Sequence, residues 1–225
     1  LIKKISIINS QNQHNTHYYC QISIIAIKIL TTVNIREYIF LKIYRERLML
    51  IMRGTHGTTV ARVVKVKTEG FKPDKGRRGT GIYFWAESSY SRDLAIGWWS
   101  YRISINGYQG DNDTRCAIIY GKMEINDNEF LNLEDYDIKQ AIATIVYQKN
   151  KELKKYEIAA IYDAFIKKVE EKSKIFFKIL MACVDAPAPR FMRQSYPTDA
   201  LGNPQCLIVR DPKCIDIEKD ETVSK

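Results

Sequence analysis

An α+β fold is what this sequence predicts, for three reasons. Short apolar runs of strand length flank a long stretch with helical spacing, in the order strand, helix, strands, helices, strand, unlike the regular alternation of a doubly wound sheet. The 225 residues are 45% hydrophobic and 11% aromatic, enough to bury a core in one domain or at most two. No internal repeat interrupts that order, and 11 glycines with 6 prolines exclude collagen-like and low-complexity classes.

Residues 1–48 hold twelve Ile and no Gly, Pro, Asp or Met, whereas every glycine and proline follows residue 48. This composition break predicts a spurious or dispensable leader, with translation starting at Met49 or Met52. The apolar run Ile22–Leu30 is too short to span a bilayer and Lys28 interrupts it, so no membrane partner is expected, although a peripheral element or membrane association remains an alternative. The expected folded domain is 49–225.

Thr59 can cap a helix that ends at Gly70, although Val60, Val63, Val64 and Val66 would equally suit a strand. Phe71–Thr80 is rich in Gly, Lys and Arg and predicts a loop. Ile82-Tyr83-Phe84-Trp85 predicts a buried strand, and Ser88 the cap of a helix through about Ser100. Cys116–Ile125 and Glu129–Leu133 predict further strands. From about 137 to 184, apolar residues at helical spacing (Ile142, Ile145, Val146; Ile158, Ile161, Phe165; Phe176, Phe177, Leu180) predict a helical insertion of two or three helices. The four prolines of Asp185–Pro204 predict a loop; Cys206–Val209 is a strand, and Ile215–Ile217 reads as another.

The formal charge of +9 is unevenly spread. Residues 1–48 carry +5, and 53–110 carry +6, with ten Lys or Arg against four Asp or Glu. A basic surface there would steer an anionic ligand. Five scattered cysteines without a C-x-x-C pair predict neither a disulfide framework nor a zinc site, no metal, and a reducing cytoplasmic setting.

Two segments carry chemistry: Thr55-His56-Gly57-Thr58, then Glu69-Gly70-Phe71 followed by Gly79-Thr80-Gly81-Ile82-Tyr83-Phe84. A glycine beside a histidine exposes a backbone N–H and C=O to a planar amide, and the imidazole can bond a ribose hydroxyl. A tyrosine closing a glycine-rich loop can offer its face to an aromatic ring.

In joint order and spacing these segments resemble the ADP-ribosyltransferase superfamily on its poly(ADP-ribose) polymerase and diphtheria-toxin side, which reads H-G-[ST], helix, G-[FL], loop, G-x-G-I-Y-F. His56 and Gly70 lie fourteen positions apart, and Gly79–Phe84 matches the last motif without a gap. Leu207-Ile208-Val209-Arg210-Asp211-Pro212 is similar to that fold's final strand. The resemblance implies a split antiparallel β core with a helical insertion, and NAD+ as co-substrate. It implies that His56 bonds the nicotinamide-ribose 2′-hydroxyl and Gly57 the carboxamide, within a cofactor site comprising Thr58, Gly81, Tyr83, Ser91 and Arg77. Tyr83 stacks on nicotinamide, and Ser91 stands where a hydroxyl also meets the carboxamide. The second stacking tyrosine of the polymerases falls at Leu94, for which Trp98 or Trp99 would have to substitute. Arg53 offers an alternative first-motif residue that would pair with phosphate, but the fourteen-residue spacing favours His56. Arg77 and Arg78 are expected either to touch NAD phosphates or the acceptor, or to be plainly solvated.

The family's glutamate at the start of the last strand would fall at Cys206 or, with a turn one residue longer, at Gln205; Asp199 could enter from the loop. Gln205 is therefore the third catalytic candidate beside His56 and Tyr83. A glutamine holds ribose without neutralising developing positive charge, which disfavours chain elongation and implies mono-transfer. The acid-poor 53–110 segment inclines the expected acceptor towards nucleic acid, RNA first, over protein. A short stand-alone transferase of this kind implies a toxin of a toxin–antitoxin or phage-defence system, with an antitoxin partner. An RNA 2′-phosphotransferase also opens with H-G-T, but His56 is the only histidine in 49–225. A nonenzymatic RNA-binding protein with a degenerate site would use Lys149, Lys151, Lys154, Lys155 and the run Lys167–Lys178. These lysines alternate with Glu152, Glu157, Glu170 and Glu171, which favours a solvated helix face.

Overall fold

A computed structural model of the chain describes residues 49–149 and 152–224. The reading of 1–48 as a leader lies outside the described residues. Two compact units divide the chain, the larger spanning Glu46–Asp135 and Lys151–Lys225. Helix α3 (Tyr136–Gln148) falls in the smaller unit; its apolar residues recur at helical spacing as the sequence indicates.

The larger unit is mixed α and β. Its strands are β1 (Met49–Thr59), β2 (Asp74–Gly76), β3 (Gly79–Ala86), β4 (Cys116–Asn126), β5 (Phe130–Asn132), β6 (Ile179–Cys183), β7 (Gln205–Val209) and β8 (Ile215–Thr222). They form one sheet in the order β5-β6-β7-β3-β1-β4-β8, with β2 paired to β3; every pairing is antiparallel except that of β5 with β6.

The pleat sorts side chains between two faces. One face gathers Ile82, Phe84, Met123, Leu207 and Val209, with Ala117 and Ile119 under Val63 of helix α1 (Val60–Glu69). The other buries Trp85, Ile118 and Cys206 under Leu94 and Ala95 of helix α2 (Ser91–Ser104). Helix α1 runs as expected between its caps: Thr59 Oγ1 accepts from Arg62 N–H, and Gly70, at φ 77°, closes the last turn. Its other leading N–H groups go to the carbonyls of Arg115 and Asp113, so this helix end is closed from within.

Three expectations are corrected. Ser88 does not cap α2, which begins at Ser91 after a turn in which Ser91 N–H donates to the Ser88 carbonyl. Phe71–Thr80 is not all loop, because Asp74–Gly76 folds back on β3 as a tight hairpin. The helical insertion does not reach 184: helix α4 (Lys155–Ser173) stops where Lys174 turns left-handed, at φ 58°, and Ile179–Cys183 is a central strand. Phe176, Phe177 and Leu180 carry a helical period by coincidence. Leu180 and Ile179 are fully buried between β5 and β7, as in a strand covered on both faces.

A clamp joins the end of α4 to the end of β7. Arg210 pairs with both carboxylate oxygens of Glu170 and donates to the Phe177 carbonyl, while Phe177 N–H donates to Glu170. Both side chains are at most one-fifth exposed, at 20% and 16%. Glu170→Ala strands the guanidinium and is expected to cost about 3 kcal/mol in urea unfolding, with Glu170→Ala/Arg210→Met recovering part of it. A cost under about 0.5 kcal/mol would mean the pair is no stronger than an exposed one.

Candidate functional site

The two chemical motifs meet where β1 and β3 part. β1 pairs with β4 from Met49 opposite Asn126 to Thr59 opposite Cys116, and just beyond, Val60 N–H donates to the Arg115 carbonyl at 3.0 Å. Antiparallel ladders alternate bonded and non-bonded pairs, so even-numbered residues of β1 turn their N–H and C=O to β4 and odd-numbered residues turn theirs away. Arg53 obeys this rule: its carbonyl accepts from Glu87 N–H, at 2.9 Å, on the β3 side. Pairing with β3 comprises Gly54 with Ala86 and Thr55 with Trp85, and ends there.

The next odd residue is Gly57, and the register puts Tyr83 opposite it. Instead of continuing the ladder, the Tyr83 carbonyl meets His56 Nδ1 at 2.9 Å. The backbone N–H and C=O of Gly57 therefore turn away from β4 into a fork, where the carbonyl oxygen accepts from the Tyr108 hydroxyl at 3.5 Å and keeps a second lone pair. Helix α2 forces Gly at this position: a Cβ on Gly57 would stand 1.9 Å from the Ala95 carbonyl oxygen.

His56 packs its ring between Phe71 and Phe84, with centroids 5.9 and 5.5 Å away. Burial pushes its pKa below the ordinary value; the bond to the Tyr83 carbonyl opposes that shift, and the Arg62 charge adds to it. The neutral ring is thus favoured. A carbonyl can only accept, so Nδ1 carries the hydrogen and Nε2 is left as an acceptor suited to a ribose hydroxyl.

Tyr83 closes on its own hairpin. Its hydroxyl donates to the Gly79 carbonyl at 2.7 Å and accepts from Arg78 N–H at 3.1 Å, and its ring lies on Gly76, where a Cβ would come within 2.3 Å. Burial raises the phenol well above its usual range. Ser91 is buried beside β1, its carbonyl accepting from Thr55 Oγ1 at 2.6 Å. The Ser91 hydroxyl donates to the Ser88 carbonyl, leaving its lone pairs for an amide N–H. Thr58 is buried next to Gly57. Gly81 serves packing, since a Cβ there would lie 2.5 Å from Ile208 Cγ2 on β7.

Both arginines of the hairpin are engaged, whereas Lys75 is exposed. Arg77 pairs with Asp185 at 2.9 Å, both ends more than half exposed. Arg78 is neither solvated nor free for phosphate: it donates to the Tyr162 hydroxyl at 2.6 Å and the Cys183 carbonyl at 3.3 Å.

For the third position, Cys206 is corrected. It is 2% exposed in the core against Trp85 and Leu94, and burial holds its thiol far above the ordinary range, so it is a packing residue. Gln205 begins β7, exposed and opposite Cys183. Asp199 is exposed on the short helix α5 (Thr198–Leu201). The carboxylate brought beside the start of β7 is Asp185. Asn203 Nδ2 stands 3.4 Å from it, and the preceding Val184 donates its N–H to the Pro204 carbonyl. Sequence spacing misses Asp185, because the helical period running through β6 hides the strand that delivers it.

Leu94 is 1% exposed, a core residue as its type suggests. Trp98 packs on Tyr101, and Trp99 donates to the Thr114 carbonyl at 3.0 Å. Tyr90 and Tyr196, 5.3 Å apart, pack on the same core cluster as Tyr83. Among the described residues, no group of three His, Cys, Asp or Glu is placed to hold a metal ion, and no helix is long and apolar enough to cross a membrane. Compared with protein-family models, curated proteins and solved structures, the chain matches none.

Cys206→Ala is expected to cost about 1–2 kcal/mol in stability and leave any NAD cleavage intact per folded molecule. Abolished cleavage in a folded Cys206→Ala protein would return the thiol to the reaction.

Proposed function

We propose that this chain is an NAD-dependent mono-ADP-ribosyltransferase of the split-sheet type, acting on nucleic acid with RNA the preferred acceptor. The observation that carries this reading is the fork between β1 and β3: a Gly57 N–H and C=O outside the β1–β3 ladder, the carbonyl accepting from Tyr108 with one lone pair left, a neutral His56 with Nε2 as acceptor, and Tyr83 across the gap. A carboxamide needs one acceptor and one donor side by side, and Gly57 offers both. Arg77 is bound to Asp185 only by an exposed ion pair, worth about 0–1 kcal/mol, and can exchange it for a pyrophosphate at little cost.

The reaction breaks the bond between ribose C1′ and the nicotinamide nitrogen. Nicotinamide leaves with the bonding electron pair, an acceptor oxygen or nitrogen forms the new bond to C1′, and the acceptor loses its proton to solvent or a nearby base. Positive charge develops on the ribose, and Gln205 supplies no counter-charge. Asp185 is the carboxylate at that end of β7. Asp185→Asn is expected to reduce turnover about 100-fold and Gln205→Glu to raise it, in the range set by removing or adding one preorganised group. Unchanged turnover in Asp185→Asn would leave charge stabilisation to the acceptor.

The deciding experiment incubates the protein with radiolabelled NAD and cell lysate, then digests separately with nuclease and protease. Label lost to nuclease supports the whole reading; label lost to protease keeps the transferase and changes the acceptor. No label and no nicotinamide release would favour a nonenzymatic protein with a degenerate site. The departure at Gln205 speaks for this second reading. A toxin role with an antitoxin partner follows only from the resemblance, and growth arrest on induction tests it.

A further inference from the structure

Resting on the RNA-acceptor reading, we infer that the surface formed by α2 and the segment Ala186–Thr198 is the docking strip for single-stranded RNA. Trp98 and Tyr101 of α2 lie 5.6 Å apart, Tyr101 and Phe191 5.8 Å apart, and the Arg190 guanidinium sits over Phe191 at 4.8 Å. Trp98 is 40% exposed, so part of its ring is open to a ligand. The two sides are held together at Gly97, where a Cβ would meet Met192 at 2.6 Å and Pro187 at 3.0 Å.

The charge of the strip suits a polyanion. Ala186–Thr198 contains Arg190 and Arg193 with no Asp or Glu, and α2 contains Arg92 and Arg102 against the single acid Asp93 in its first turn. Arg190 and Arg193 are exposed, and among the described residues neither meets a carboxylate. By contrast, Arg77 of the hairpin is held by an exposed ion pair with Asp185, and Arg78 by the Tyr162 hydroxyl and the Cys183 carbonyl.

The exposed Trp98, backed by the half-buried Tyr101 and Phe191 and flanked by Arg190 and Arg193, suits a single strand, since every base has a face to stack and every nucleotide a phosphate to neutralise. Duplex bases are already stacked and cannot use such a strip. Exposed Gln194 and Ser195 beside Arg193 offer acceptors to a 2′-hydroxyl, which DNA lacks. The strip also leads to the fork: Ala186, Met192 and Tyr196 pack on the core cluster that Tyr83 joins.

The test is fluorescence anisotropy of the full chain, without NAD, against a labelled single-stranded RNA of about 12 nucleotides. The same sequence as DNA and as duplex RNA serves for comparison. Trp98→Ala is expected to weaken RNA binding about 5- to 100-fold, with Trp98→Phe retaining most of it. Arg190→Ala/Arg193→Ala is expected to flatten the log–log salt dependence by about 1.4, or 0.7 for each phosphate no longer neutralised. Acceptor-free nicotinamide release stays at the wild-type rate in all three variants, which also reports that they are folded. The inference is overturned by absence of RNA binding, by binding that these variants leave unchanged, or by equal affinity for DNA or duplex. RNA binding as described with no nicotinamide release sinks the transferase reading and leaves the strip; labelling of protein without RNA binding does the reverse.

Discussion

Gly57→Ala is expected to destabilise the protein by at least about 3 kcal/mol, lowering the melting temperature by roughly 6–12 °C. The new Cβ would stand 1.9 Å from the Ala95 carbonyl oxygen and 2.6 Å from its carbon. Both are backbone atoms inside a helix and cannot rotate away. Either α2 lifts off β1, breaking the bond from Thr55 Oγ1 to the Ser91 carbonyl, or β1 leaves its register with β4. Far-UV circular dichroism during thermal unfolding measures the loss. A melting temperature within a degree or two of wild type would show that α2 does not lie on Gly57, and the fork geometry would fall with it.

The second large effect is on activity. His56→Ala is expected to lower NAD cleavage by about 100- to 1000-fold, the scale of one preorganised polar group removed from a reacting centre. Nicotinamide release measures it, with thermal unfolding as the check on folding, because the ring also packs between Phe71 and Phe84. A variant that keeps full activity ends the site assignment. The same residue has a stability signature. Its folded pKa lies below the ordinary 6.5, so the unfolded chain binds the proton more readily. The His56 contribution is therefore complete above about pH 6.5 and is lost as pH falls through the folded value. His56→Gln removes this acid sensitivity. Identical pH-stability curves for His56→Gln and wild type would mean the ring is not buried as described.

Much of the architecture is local and legible along the chain. Thr59 and Gly70 bracket α1 because a side-chain oxygen and a residue tolerant of positive φ are needed at its two ends, and both are visible as residue types. β3, β4 and β7 are legible as short apolar runs rich in β-branched and aromatic residues. β6 is not. Ile179–Cys183 continues a helical period from α4, and only its insertion between β5 and β7 makes it a strand. Tertiary burial on both faces overrides the local pattern there.

The sequence by itself determined which residues are the candidates: His56, Gly57 and Tyr83 stand in motifs whose spacing is already an argument. Only the tertiary structure decided what those residues can do. Whether Gly57 offers its backbone depends on where β1 stops pairing with β3, and whether His56 is neutral depends on two phenylalanine rings from other segments. Residue type and position make Arg78 and Cys206 candidates, and both are taken into the interior by partners distant in the chain, Tyr162 and Trp85. Asp185 shows the reverse: it reaches the start of β7 because β6 lies antiparallel to it. Residue type sets what a group is able to do; dielectric, hydrogen-bond competition and proximity set what it does, and these are properties of the packed chain.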